Sequence, residues 1–268
     1  MTYDRGMRAA RLVVAAVLVV TSAAASPPEG RIVDLSHPFD ARTIYWPTDT
    51  AGFVLERGAA GKTDKGYYYE AHRFRAAEHG GTHIDAPVHF YEGRRSVDEI
   101  PLEQLIGDGV VIDVSESCSR NRDYRVALSD LRRWEKEHGR IPAAAIVLVR
   151  TGFGRFWPDR ERYLGTAERG EGAIAKLHFP GLGAKAGRWL ADERRVSAVG
   201  IDTASIDYGR STRFPTHVGL FQRNVPAFEN LANLDRLPPR GFRVIALPMK
   251  IRGGSGAPLR AVAVLPSR

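Results

Sequence analysis

Four side chains able to bind a metal ion or move a proton lie within eleven residues: His79, His83, Asp85 and His89, in the segment HGGTHIDAPVHF at 79–90. A lone histidine usually has a structural role, but three with an aspartate around a Gly-Gly pair point to a shared task. Neutral imidazoles and a carboxylate suit Zn²⁺ or Mn²⁺, and without a thiolate nothing forces zinc. Their spacing sets a geometric condition. On a straight strand His79 and His83 would stand about 13 Å apart, at about 3.3 Å per residue. Two imidazoles on one ion need nitrogens about 2.0–2.1 Å from it. The chain must therefore turn between them, and Gly80-Gly81 permits the turn while removing side chains that would obstruct close approach. His83 and Asp85, two apart, converge directly, and Pro87 redirects the chain so that His89 swings back over the same site. An α-helix would also join His79 and His83 at i, i+4, as in HExxH enzymes. The paired glycines and Pro87 count against it.

These residues need a scaffold. Short apolar runs rich in β-branched residues recur at 32–35, 110–114, 146–149, 196–201, 243–247 and 261–265. Each is bounded by Gly, Pro, Ser or charged residues and reads as a strand. Residues 66–77 form a longer strand candidate, with Tyr67, Tyr69, Ala71, Phe74 and Ala76 among polar positions. Helical patterns lie between the runs. Ser129 caps a helix to about His138, with Asp130 in its first turn. Residues 183–195 place Ala186, Trp189 and Leu190 on one face. Pro226 suits the first turn of a third helix, with Phe228, Leu231 and Leu234 as its apolar stripe. One α/β domain, strand-rich with a few helices, is expected.

The first residues read differently. Arg5, Arg8 and Arg11 precede the apolar run LVVAAVLVV at 12–20, and Ala23-Ala24-Ala25 follows as a small-residue cleavage site. That order predicts a signal peptide over 1–25, a mature domain over 26–268, and export to the periplasm or medium. The run is short of the roughly 20 residues a membrane span needs, so no stable insertion is expected after cleavage. The net charge of +8 is scattered and interleaved with acidic residues, as in Asp192-Glu193-Arg194-Arg195. No arginine-rich run or aromatic interleaving points to nucleic acid. Cys118 is the single cysteine, which excludes an internal disulfide, and its polar stretch SESCSRNR reads as a loop thiol rather than a nucleophile.

With these motifs in place, HGGTHIDAPVHF resembles the signature of the cyclase superfamily of metal-dependent hydrolases, which includes bacterial kynurenine formamidases and isatin hydrolases. The resemblance continues through Val33-Asp34-Leu35-Ser36, Tyr45-Trp46-Pro47, Arg150-Thr151-Gly152, HFPGL at 178–182 and GIDTASID at 200–207. It extends to THVGLFQRNVPAFENLANL, with His217 and Glu229, and to LPMKIRGGSGAPLRAVAVL near the chain's end. It covers nearly all of the mature chain. It implies a swivelling β/β/α-type core and a homodimer or higher homo-oligomer. It also implies that His79, His83 and Asp85 bind one divalent ion, that Asp85 bridges to a second held by His217 and Glu229, and that His89 is the catalytic histidine.

The expected activity is hydrolysis of a C–N bond in a small, aromatic amide or cyclic amide by metal-activated water, with one or two Zn or Mn ions per subunit. Trp46, Phe53 and Phe90, with Tyr45, are candidates to line an aromatic substrate pocket. Asp202 and Asp207 are further acidic candidates, of which Asp202 ends an apolar strand and either orients a ligand or caps a turn; His72, His138 and His178 match no ligand position. A lactone hydrolase or true cyclase could use the same site. An exported metal- or ligand-binding protein without turnover would need no proton carrier at His89.

Overall fold

A computed structural model describes residue 1 and residues 30–267 of the chain. Beyond Met1, the leader expected over 1–25 lies outside the described residues. In chain order the strands are β1 (Ile32–Asp34), β2 (Val54–Lys62), β3 (Tyr68–Arg75), β4 (His83–Asp85), β5 (Ile106–Asp113) and β6 (Arg125–Val126). They continue with β7 (Ile146–Arg150), β8 (Gly181–Leu182), β9 (Ala198–Ile201), β10 (Ala227–Glu229), β11 (Phe242–Pro248) and β12 (Gly256–Val264). The helices are short: α1 (Leu102–Leu105), α2 (Ser115–Arg120), α3 (Leu128–His138), α4 (Arg160–Leu164), α5 (Ala184–Trp189) and α6 (Pro215–Phe221).

Strands β5, β7 and β9 carry apolar runs, as expected of parallel strands buried on both faces. They pair in register, with Val110 opposite Val147 and Val147 opposite Val199. Period-two alternation divides their side chains between two cores. Val110, Ile112, Val147, Val149, Val199 and Ile201 pack with Leu131, Ala186 and Leu220 of the helices. Val111, Ile146, Leu148 and Ala198 pack on the other side with Phe228, Val244 and Ala261. The main sheet runs β1-β12-β11-β5-β7-β9-β10-β4 and closes on itself, because β4 also pairs with β12. The result is the strand-rich α/β domain expected from the sequence, with a closed, barrel-like core. Closure places β4 between β10 and β12, with all three residues of the HID tripeptide buried.

Three local expectations are corrected. The helix expected after Pro226 is strand β10, which pairs with β9 on one side and β4 on the other. Its supposed helical stripe, Phe228, Leu231 and Leu234, is buried by that strand and the loop after it. Positive φ at Asn230 and Asn233 breaks any helix there. Ser129 is not the cap: it falls inside the first turn of α3, whose N-cap is Ala127, and Asp130 reaches back to accept the Ala127 N–H at 2.8 Å. Cys118 lies on α2, buried, rather than in a loop. The strand expected over 66–77 is β3, paired with β2 in a separate hairpin whose Leu55, Tyr68, Tyr69 and Phe74 are exposed. Among the described residues no helix is long and apolar enough to cross a membrane.

Candidate metal centre

The turn required by the histidine spacing sits at Gly81, whose φ of +56° is a left-handed conformation that suits glycine. Its carbonyl accepts the His83 Nδ1–H at 3.0 Å and an Asn230 Nδ2–H at 2.7 Å. This bond leaves His83 Nε2 free to face Asp85, whose Oδ1 lies 3.1 Å away. The turn folds the preceding His79 against the strand, with Nδ1 2.7 Å from the same Asp85 oxygen. Gly256 of β12 sits opposite Asp85, and a Cβ there would lie 2.5 Å from the His79 ring, so glycine is what admits the imidazole. The other His79 nitrogen lies 2.9 Å from Ser255 Oγ, and that hydroxyl donates to Glu78 at 2.6 Å. Pro87 opens a single 3-10 turn that carries His89 back, its ring stacked on His79 at 3.7 Å.

The second half of the centre comes from far along the chain. In the antiparallel register of β10 and β4, Glu229 stands directly opposite His83. Side chains of such a pair share one face of the sheet, and Glu229 Oε2 lies 3.6 Å from His83 Nε2. His217, on α6, points Nε2 between Asp85 Oδ2 at 3.2 Å and Glu229 Oε1 at 3.1 Å. Its Nδ1 donates to Asp207 Oδ2 at 2.7 Å, so Asp207 fixes the ring and its tautomer. Asp202 has the other role left open for it. Its carboxylate accepts from the N–H and hydroxyl of Thr151 and the N–H of Gly152, closing the turn after β7.

His83, Asp85, His217 and Glu229 are all buried. Burial works against each charged form, but their mutual contacts decide the outcome. For His83, burial is outweighed by Asp85 and Glu229, and its pKa rises to about 8. For His217 the same contest, with Asp207, Asp85 and Glu229 as partners, ends well above the ordinary histidine value. Against burial, His79, His217 and His83 hold the Asp85 carboxyl well below its usual range. Burial and the neighbouring Asp85 charge push Glu229 up. Imidazole nitrogens with carboxylate oxygens are a donor set for a divalent ion. Two groups of potential ligand atoms converge to within 4.8 Å: His79, Asp85 and His89, and His83, Asp85 and Glu229. Asp85 belongs to both, so the residues fit a metal site. His89 differs in charge state. Burial, the dominant effect, brings its pKa down to about 4 despite Asp85, so its ring is neutral at pH 7.

A cavity of about 260 Å³ opens onto these donors, walled by Ile44, Tyr45, Trp46, Phe90, Ala204 and Phe214. The expected Trp46 and Phe90 are on its lining; Phe53 is not. Phe53 packs against Phe39 and Phe74 at the base of the β2–β3 hairpin. His72, His138 and His178 lie away from the cavity lining. Sequence reasoning missed Asn230, Ser255, Glu78 and Phe214. Asn230 and Phe214 neighbour motif residues but carry no metal-ligand signal, and the Glu78–Ser255 contact spans 177 positions.

Residues 33–208 match the family model of the cyclases. An isatin hydrolase of Roseibium aggregatum is 34% identical over 197 residues, covering 70% of this chain and 72% of that protein. A kynurenine formamidase of Salinibacter ruber is 29% identical over 235 residues, covering 86% and 96%. The structure of isatin hydrolase A from Labrenzia aggregata bound to benzyl benzoate superposes with a TM-score of 0.79 at 35% identity, covering 88% of this chain and 94% of that one. The turn at Gly81, the donors around Asp85 and these likenesses agree: the chain belongs to the cyclase family.

Proposed function

We propose that the chain is a metal-dependent hydrolase of the non-peptide C–N bond in a small aromatic amide or cyclic amide. The observation that carries this reading is the convergence of His79, His83, Asp85, His217 and Glu229 at the floor of an aromatic-walled cavity. The names isatin hydrolase and kynurenine formamidase denote, respectively, opening of an aryl cyclic amide and cleavage of an aryl formamide.

His79, His83, Asp85, His217 and Glu229 would hold one or two divalent ions; Zn²⁺ and Mn²⁺ both suit this donor set. A divalent ion supplies Lewis acidity there, lowering the pKa of water and polarising a carbonyl oxygen. The chain's own residues do the rest. His89, neutral at pH 7, takes a proton from water as the water oxygen bonds to the carbonyl carbon. It returns that proton to the nitrogen as the C–N bond breaks, giving a carboxylic acid and an amine. Trp46 and Phe90 flank the aromatic end of the substrate.

The His79–Asp85–His89 grouping favours a second role for His89, as a ligand. His89→Ala separates the two. A proton carrier predicts retained metal and a loss of hydrolysis of about 100-fold or more; parallel loss of metal and activity assigns His89 to the ligand set.

A homodimer and export to the periplasm or medium complete the reading. The β2–β3 hairpin, with Leu55, Tyr68 and Phe74 exposed, offers apolar surface to a second copy. Light scattering on the purified protein tests the dimer. N-terminal sequencing of the mature chain tests cleavage near Ala25.

A further inference from the structure

The cavity wall beside His217 contains a residue in a conformation its type avoids. Phe214 has φ of +45° and ψ of +47°, in the left-handed region, where a side chain meets the following carbonyl. Pro215 comes next and opens α6, the helix that carries His217. Strain of this kind persists where the surroundings over-determine it, and it clusters at ligand clamps. The surroundings here are aromatic. The Phe214 ring lies 5.0 Å from Phe90 and 6.2 Å from Trp46, centroid to centroid, and 5.9 Å from His217. Phe90 in turn lies 4.5 Å from the His217 ring. The left-handed turn thus delivers a flat apolar ring to the cavity three residues before a candidate metal ligand.

The charge of the cavity is equally specific. Among the described residues that line it there is no lysine or arginine, and its acidic and histidine side chains all belong to the cluster at its floor. An ammonium or carboxylate on the far end of a substrate would find no ionic partner, and an unpaired charge against aromatic walls is costly.

We propose that Phe214 is a specificity-determining residue, which with Trp46 and Phe90 selects flat, uncharged aryl amides and lactams over non-planar or charged ones. This rests on the hydrolase reading above and narrows its substrate class. The ring adds selectivity through stacking, a geometry-dependent attraction that an aliphatic group of similar volume does not supply.

The test compares metal-loaded wild type with Phe214→Leu, which keeps apolar bulk and removes the plane. Substrates are formanilide, its non-planar analogue N-cyclohexylformamide, and 4-formamidobenzoate, which carries a charge at the far end of the ring. The two formamides differ in intrinsic reactivity, so the readout is the change in the ratio of their kcat/KM values on substitution. Phe214→Leu is expected to lower the formanilide preference about 5- to 10-fold, mainly through KM, with bound metal unchanged by elemental analysis. Wild type is expected to use 4-formamidobenzoate at least about 10-fold less well than formanilide. A preference unchanged within twofold by Phe214→Leu, or equal use of the charged substrate, overturns the proposal. Calorimetric titration with oxindole, an uncharged bicyclic lactam, separates this failure from that of the functional reading. Oxindole bound about 5-fold or more tighter by wild type than by Phe214→Leu supports the selectivity even where no amide is turned over. Equal binding by the two overturns it.

Discussion

Asp207→Asn isolates the support beneath one candidate ligand. Asp207 Oδ2 accepts the His217 Nδ1–H at 2.7 Å and the His217 backbone N–H at 3.1 Å, while Oδ1 accepts the Thr216 N–H at 3.2 Å. The carboxylate is buried, with 2% of its side chain exposed, so water cannot replace what the substitution removes. Asparagine keeps the size and one acceptor oxygen but loses the charge. A hydrogen bond to a charged group contributes about 1.5–3 kcal/mol, which at about 1.4 kcal/mol per decade is roughly 10- to 150-fold in affinity. Loss of a partner behind a metal-bound histidine typically costs about 10- to 100-fold, in agreement. The assay is calorimetric titration of Mn²⁺ into chelator-stripped protein, with thermal melts of the metal-free proteins in parallel. Asp207 also favours the protonated His217 of the metal-free site, so affinities are compared near pH 8.5, where the proton competes less. Weaker Mn²⁺ binding by at least about tenfold, with the variant still folded, is expected. Wild-type affinity in a folded Asp207→Asn protein would refute the assignment of His217 as a ligand oriented by Asp207.

Other outcomes follow from the same structure. Gly81→Ala forces a Cβ onto a residue at φ +56° and to within 2.7 Å of the Phe39 ring; urea unfolding should register a loss of about 1–3 kcal/mol, and metal affinity should fall with it. Burial brings the His37 pKa down to about 4 despite the nearby Asp34 carboxylate. The unfolded chain therefore binds the extra proton first, and stability is lost as pH falls from about 6.5 toward 4, by at most about 3 kcal/mol. His37→Phe, which keeps the stacking on Trp157, should flatten that part of the stability–pH curve; an unchanged slope contradicts the assignment. Burial pushes the Cys118 thiol up to about 12, so iodoacetamide at pH 8 should label it only after unfolding, as read by mass spectrometry.

Much of the near half of the centre was legible because it is local. The distance between His79 and His83 demanded a turn, Gly80-Gly81 allowed one, and the positive φ of Gly81 supplies it. The buried strands were legible for a similar reason: runs such as Ile146–Arg150 announce burial on both faces. The far half was different. Glu229 meets His83 through strand register across 146 positions, and only family likeness, not residue pattern, singled it out. The apolar spacing of Phe228, Leu231 and Leu234 mimicked a helix because β10 and its following loop bury residues at similar intervals. Strand β2, VLERGAAGK, carries almost no β-branched residues and is exposed along most of its length, so neither propensity nor burial marked it. Phe53 looked like a pocket residue by type alone, and the hairpin base claims it instead.

The central claim is that His79, His83, Asp85, His217 and Glu229 hold a divalent ion that hydrolysis requires. It is tested most directly by purifying the protein without chelator, measuring bound metals by elemental analysis, and assaying formanilide and isatin before and after metal removal. One or two equivalents of Zn or Mn per chain, activity lost on stripping and restored by adding the metal back, is the predicted result. A stripped preparation that hydrolyses these substrates at the full rate would contradict it.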